Sequence, residues 1–276
     1  MSRLLPYLAC LLLLFSGPLQ AREQSDAPDA AVIGFSPDGR YFAWEQYGWD
    51  IASGALSAAI HVVDRQTNRQ ADGFPFGVVP YGDDGSAPAL AGGYTTDLDA
   101  LADEPDIDAL RADIRAKAAA KLEALSIGTP GRRLAGVPLT QRSPLDKKTT
   151  PLVFVVHPTL PSAIPDQQLV YTLEARPSPE PEDCVNAATP ARQKSIEFDV
   201  IGSRIWPELK DVARAATTYS WTMPADNCAA GLWIADVIAP PGGQNDAVAV
   251  LFLAASWNSA VDEAGWHGLF VTLPDE

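Results

Sequence analysis

The chain has 276 residues, with 35 acidic against 20 basic side chains, a formal charge of −15 and three cysteines. So acidic a surface repels nucleic acid and anionic lipid headgroups, and nucleic-acid binding is set aside. Cationic partners and divalent cations stay open.

The first 21 residues read as a signal peptide. Arg3 supplies the basic start, residues 7–15 an apolar run, and Ser16, Gly17, Pro18 and Ala21 a small-residue end, with cleavage placed after Ala21. The run is too short for a bilayer span, which takes roughly 20 apolar residues. Cys10 precedes most of the apolar run instead of following it, which argues against a lipid-attachment cysteine. Cleavage removes one cation, Arg3, taking the formal charge from −15 to −16, and leaves two cysteines, Cys184 and Cys228. A pair of cysteines in an exported chain predicts one disulfide. Closing a loop of that length is worth about 4 kcal/mol in the chain-entropy model. No later segment reaches membrane length, and residues 247–257 read as a buried strand. The mature protein is therefore expected to be soluble and secreted or periplasmic, in a bacterium.

Residues 22–30 read as a flexible lead, and residues 31–276 as a single β-rich domain. A short strand at 32–35 runs into Ser36-Pro37-Asp38-Gly39, a turn in which proline presets φ and glycine takes the positive φ that follows. Residues 41–47 alternate, with Phe42 and Trp44 on one face and Tyr41, Ala43 and Glu45 on the other. Strands at 59–64 and 69–79 complete a meander over 31–79, Gly73 and Pro75 pointing to an edge or a bulge in the last. Ile107, Leu110, Ile114, Ala118, Leu122 and Leu125 form one apolar stripe of a helix over 105–126, capped by Asp103 and stopped by Gly128, with its Lys and Arg solvated. Residues 131–150 read as an irregular basic connection. Strands are expected at 151–157, 168–175, 195–201, 217–223, 232–238, 247–254 and 269–273. Strands without intervening helices pair antiparallel. The fold class is mainly β, in sandwich-like or blade-like meanders, with one amphipathic helix.

The stretch Phe35-Ser36-Pro37-Asp38-Gly39-Arg40, then Phe42-Ala43-Trp44, then residues 60–64 ending in Asp64, resembles a single blade of TolB-like β-propellers. Residues 34–48, with Asp64 and Phe74-Pro75-Phe76, also resemble the start of a bacterial family of predicted secreted proteins of unknown function. That family opens with the same turn and an aromatic strand ending in a glutamate, here Glu45, and a glycine, here Gly48. The resemblance implies no activity, cofactor or site residue.

Of the three histidines, His61 alternates with Ile60 and Val62 and is expected to face solvent, His157 ends a strand, and His267 is read in a loop. None stands in a metal-ligand spacing, and no G-x-S-x-G elbow is present. Asp97, Asp99, Asp103, Glu104, Asp106 and Asp108 offer oxygens for calcium, but capping of the following helix explains the run as well, and no cofactor is expected. Tyr47 and Trp49 by the first hairpin, and Trp257 and Trp266 around a later loop, are the candidate binding aromatics. The expectation is a non-enzymatic binding or envelope-associated module for an envelope protein, peptide or glycan. A hydrolase with a dispersed site is the alternative.

Overall fold

The protein is described from a computed structural model covering residues 28–49, 55–79, 89–97, 106–137, 143–144, 151–156, 168–177, 195–205, 214–222, 229–243, 246–257 and 262–274. The signal peptide, Cys184, Cys228 and His157 lie outside these residues. Among the described residues the fold is mainly antiparallel β with one α-helix, in four stacked layers.

The first sheet holds β1 (Asp29–Phe35), β2 (Tyr41–Trp49), β3 (Leu56–Asp64), β5 (Phe76–Val79) and β6 (Ala89–Ala91) in that order, with β4 (Arg69–Gln70) also paired to β3. The strands expected at 32–35, 41–47 and 59–64 are present, but the one expected over 69–79 is divided into residues 69–70 and 76–79 by a turn that holds Gly73 and Pro75, and β6 is added beyond it. Gly39 takes φ 67° and its N–H closes the turn onto the Ser36 carbonyl at 2.9 Å. The Ser36 hydroxyl accepts from Tyr41 N at 2.9 Å and donates to Asp38. Arg40 then grips Asp64 with Nη2 at 2.7 Å and Nε at 3.2 Å, locking the hairpin to the end of β3.

The helix, α1 (Ile107–Ala124), lies over the outer face of this sheet. Its stripe is as expected: Leu110, Ile114 and Ala118 are buried, with Ile107, Leu122 and Leu125 beside them. They pack on Ala43, Ala58, Ile60, Val62 and Phe76, and burying Leu110 and Ile114 is worth roughly 1.5–3 kcal/mol each. The cap differs from the expectation. Asp106, in extended conformation, accepts from the N–H groups of Asp108 and Ala109, so the helix starts after Asp106 and Asp103 lies outside the described residues.

The second sheet runs β15 (Asp262–Thr272), β14 (Ala247–Trp257), β13 (Ala229–Ala239), β7 (Arg132–Gly136), with β8 (Ser143–Pro144) also on β13. Its near face meets the first sheet through Phe35, Phe42 and Trp44 against Trp233, Leu251, Leu253, Trp266 and Phe270. Its far face meets the third sheet, β9 (Leu152–Val156) to β12 (Arg214–Thr222) through β10 (Gln168–Pro177) and β11 (Ser195–Ile205). There Val248, Val250 and Phe252 pack on Leu173, Phe198 and Val200. Covered on both faces, residues 247–254 are all buried, which is why that strand reads as an unbroken apolar run.

Two expectations are corrected. Part of the stretch read as an irregular connection supplies β7 and β8, which pair with β13 about a hundred residues later in the chain, a choice that no local pattern encodes. The hairpin β14–β15 is also longer than read, so Trp257, Trp266 and His267 belong to strands and not to a loop.

Candidate functional site

Strand alternation carries Ala43, Glu45, Tyr47 and Trp49 to the helix side of β2. Glu45 is fully buried there, and the helix brings it two cations spaced one turn apart. Arg111 donates to its Oε2 from Nε at 3.2 Å and from Nη2 at 3.0 Å, and Arg115 donates to the same oxygen. Arg111 also lies over the Tyr47 ring, its Cζ 3.4 Å from the centroid, and reaches Asp108 with Nη1 at 3.2 Å. The bond to Glu45 holds the Arg111 guanidinium above its ordinary pKa. Glu45 Oε1 is buried and accepts no hydrogen bond from the described residues. The arginines of this helix are therefore not a solvated face, as the stripe alone had suggested. They bind a carboxylate 66 and 70 positions away in the chain.

Beyond this cluster, at the end of β2, Trp49 leaves 48 % of its surface open. Its strand partner Leu56 is buried. Half of the Arg115 side chain is also exposed. The structure thus brings Tyr47 and Trp49 onto one face with a stacked guanidinium and a second, half-open one. A surface of this kind offers a π-face for an apolar or sugar ring and N–H forks for carboxylate or phosphate.

The other two aromatics do not join them. Trp266 is a core residue, tilted against Trp233 at 5.4 Å between centroids. Its Nε1 donates to the Pro28 carbonyl and its backbone N–H to Gln46 Oε1 at 2.7 Å. It is withdrawn from the binding set, because the first sheet covers the face that carries it. Trp257 ends β14, and its side chain lies outside the described residues.

The histidines also sit differently from expectation. His61 faces the second sheet, its ring stacked on Trp44 at 5.0 Å and 11°, and half-buried there. Val62 N donates to Gln70 Oε1, which turns the Gln70 amide nitrogen to His61 Nδ1 at 3.2 Å and makes Nδ1 the acceptor. Burial lowers the His61 pKa to about 4. His267, beside Phe252, falls to about 3 through burial and the nearby His61. Imidazoles so weakly basic are mismatched to general-base work near neutral pH. Among the described residues no three His, Cys, Asp or Glu side chains gather as metal ligands. Of the acidic run, Asp106 is committed to the helix cap and Asp108 to Arg111.

No protein-family model matches the chain, and no curated protein matches it significantly.

Proposed function

We propose that the protein is an exported, non-enzymatic binding module of the bacterial envelope, meeting a peptide, glycan or envelope protein on the helix side of its first sheet. The observation that carries this reading is Trp49. Its indole is half open at the end of a strand whose other apolar side chains are covered, two residues on from Tyr47, whose ring carries the Arg111 guanidinium. An exposed aromatic next to N–H forks is the composition of a contact surface. The test is titration calorimetry of the mature protein against a panel of envelope glycans and peptides, in parallel with Trp49→Ala. The wild type is expected to bind at least one member and the variant to lose that heat, with a melting temperature within about 2 °C because so open a side chain adds little to the core. An unchanged isotherm for the variant removes this surface from the proposal.

Export rests on the tripartite pattern of residues 1–21, and the disulfide on the two cysteines left after cleavage. The opening motif supports kinship with the secreted family of unknown function. Intact-mass analysis of periplasmic material is expected to show a chain beginning at Arg22 with Cys184 and Cys228 joined. Two alkylatable thiols refute the pairing.

A further inference from the structure

An open sheet edge presents unpaired N–H and C=O groups, and soluble proteins close or spoil such edges. The second sheet closes the edge of β15 with side chains. Gln46 accepts from Trp266 N at 2.7 Å. Asn68 accepts from Phe270 N at 2.7 Å and donates to its carbonyl at 2.8 Å. The Tyr219 hydroxyl accepts from Thr272 N at 2.8 Å. The first sheet spoils β1 with a register shift between Val32 and Gly34, and pairs Phe35 with Thr129. Of the third sheet's two outer strands, β9 and β12, the second shows no such device among the described residues. Strand β12 pairs with β11 over nine positions without a shift, and no described strand or side chain bonds its far edge. After Arg214 its sequence, Ala215-Ala216-Thr217-Thr218-Tyr219-Ser220-Trp221-Thr222, holds no charge and no proline.

We propose that β12 is the interface of a homodimer, two copies pairing this strand antiparallel about a two-fold axis at Thr218, so that their third sheets join into one. Self-pairing about Thr218 sets threonine against threonine, Thr217 against Tyr219 and Ala216 against Ser220. Threonine pairs and aromatic–β-branched pairs are favourable cross-strand neighbours, and no like charges meet. Ala216, Thr218 and Ser220 are exposed on the outer face and free of steric cover there. A second copy fits this edge even though each chain is strongly acidic. The nearest carboxylates, Glu197 and Asp199, stand one strand back on β11 and are already engaged by Arg176. Across the dimer they are separated by three strand spacings, about 14 Å, beyond a Debye length of about 8 Å in physiological salt.

An edge contact alone is small, so association is expected on the order of tens of micromolar. Sedimentation equilibrium of the mature protein from 2 to 200 μM (roughly bracketing that value) is expected to show a monomer–dimer equilibrium. Thr218→Lys and Thr218→Glu each set two like charges against each other on the axis. Both are expected to weaken dimerisation at least about tenfold while melting within about 3 °C of wild type. Mixing Thr218→Lys with Thr218→Glu is expected to restore a mixed dimer. A wild type monomeric throughout, or a dimer indifferent to both substitutions, overturns the proposal. Binding of an extended peptide to a strictly monomeric protein overturns it in favour of strand addition by a different partner.

Discussion

The buried carboxylate under the helix permits a test in which the order of the variants matters more than any single value. Glu45 has no solvent exposure, while the side chains of Arg111 and Arg115 keep 17 % and 50 %. Removing both arginines with Arg111→Met/Arg115→Met leaves a buried charge with no partner, and breaking a buried pair in that way costs about 3–5 kcal/mol. Removing the acid instead, with Glu45→Leu, frees two cations that remain partly hydrated, so the loss falls at the low end, about 3 kcal/mol. At 2–4 °C per kcal/mol for a chain of this size, that is a drop of about 6–12 °C in melting temperature. Replacing all three with apolar side chains removes the desolvation cost together with the attraction and is expected to return to within about 1 kcal/mol of wild type. Calorimetric or circular-dichroism melts at pH 7 decide the order: double arginine variant lowest, Glu45→Leu next, triple variant near wild type. A triple variant that melts lowest refutes the reasoning, because the ion cluster would then contribute net stability beyond what apolar packing can replace.

Two further outcomes follow from single side chains. Both described histidines are neutral in the fold with pKa values below the unfolded value near 6.5, so the unfolded chain takes up protons first as the pH falls. Stability is therefore full above about pH 6.5 and is lost from there towards pH 4 for His61 and pH 3 for His267, by up to about 1.4 kcal/mol per pH unit for each, a ceiling because both rings keep some solvent contact. His61→Phe, which keeps the stack on Trp44, is expected to flatten melting temperature against pH between 6.5 and 4.5. An unchanged slope would show that His61 is not one of the groups responsible. Asn68→Gly keeps the positive φ of 54° and deletes both bonds to Phe270, one of the pins across the sheets. Chemical denaturation is expected to show a loss of about 2 kcal/mol, and a loss under about 0.5 kcal/mol would mean that water replaces the side chain at no cost.

What could be read from the sequence was local. The Ser-Pro-Asp-Gly turn, the alternation that separates Trp44 from Glu45, and the helix stripe through Leu110, Ile114 and Ala118 follow from backbone sterics and periodicity, and each stands as expected. What could not be read was which element covers a given face. Alternation places His61 on the face opposite Ile60, but only the second sheet makes that face an interior. Trp266 is buried for the same reason. The Glu45 pairing with Arg111 needs a helix and a strand 66 residues apart to meet, and the signal for it was a lone acid in the middle of an apolar strand. A carboxylate among buried neighbours demands a cationic partner.

The same distinction bears on the opening motif from Ser36 to Asn68. Its residues form one connected chain of bonds. Ser36 and Asp38 shape the turn, Arg40 leaves it to hold Asp64, Asp64 accepts from Gln66 N at 2.8 Å, and the turn so fixed aims Asn68 at the edge of β15. Arg65, in the same turn, reaches Asp246 ahead of β14. The motif thus ties the first sheet to the second, and its side chains are occupied by that task. A residue already spending its donors and acceptors inside the fold has few left for a ligand. A contact surface has to be sought where polar groups and aromatic faces remain open, and on the first sheet that is the helix side, where Trp49 at the end of β2 and Arg115 on the helix keep about half their side chains open.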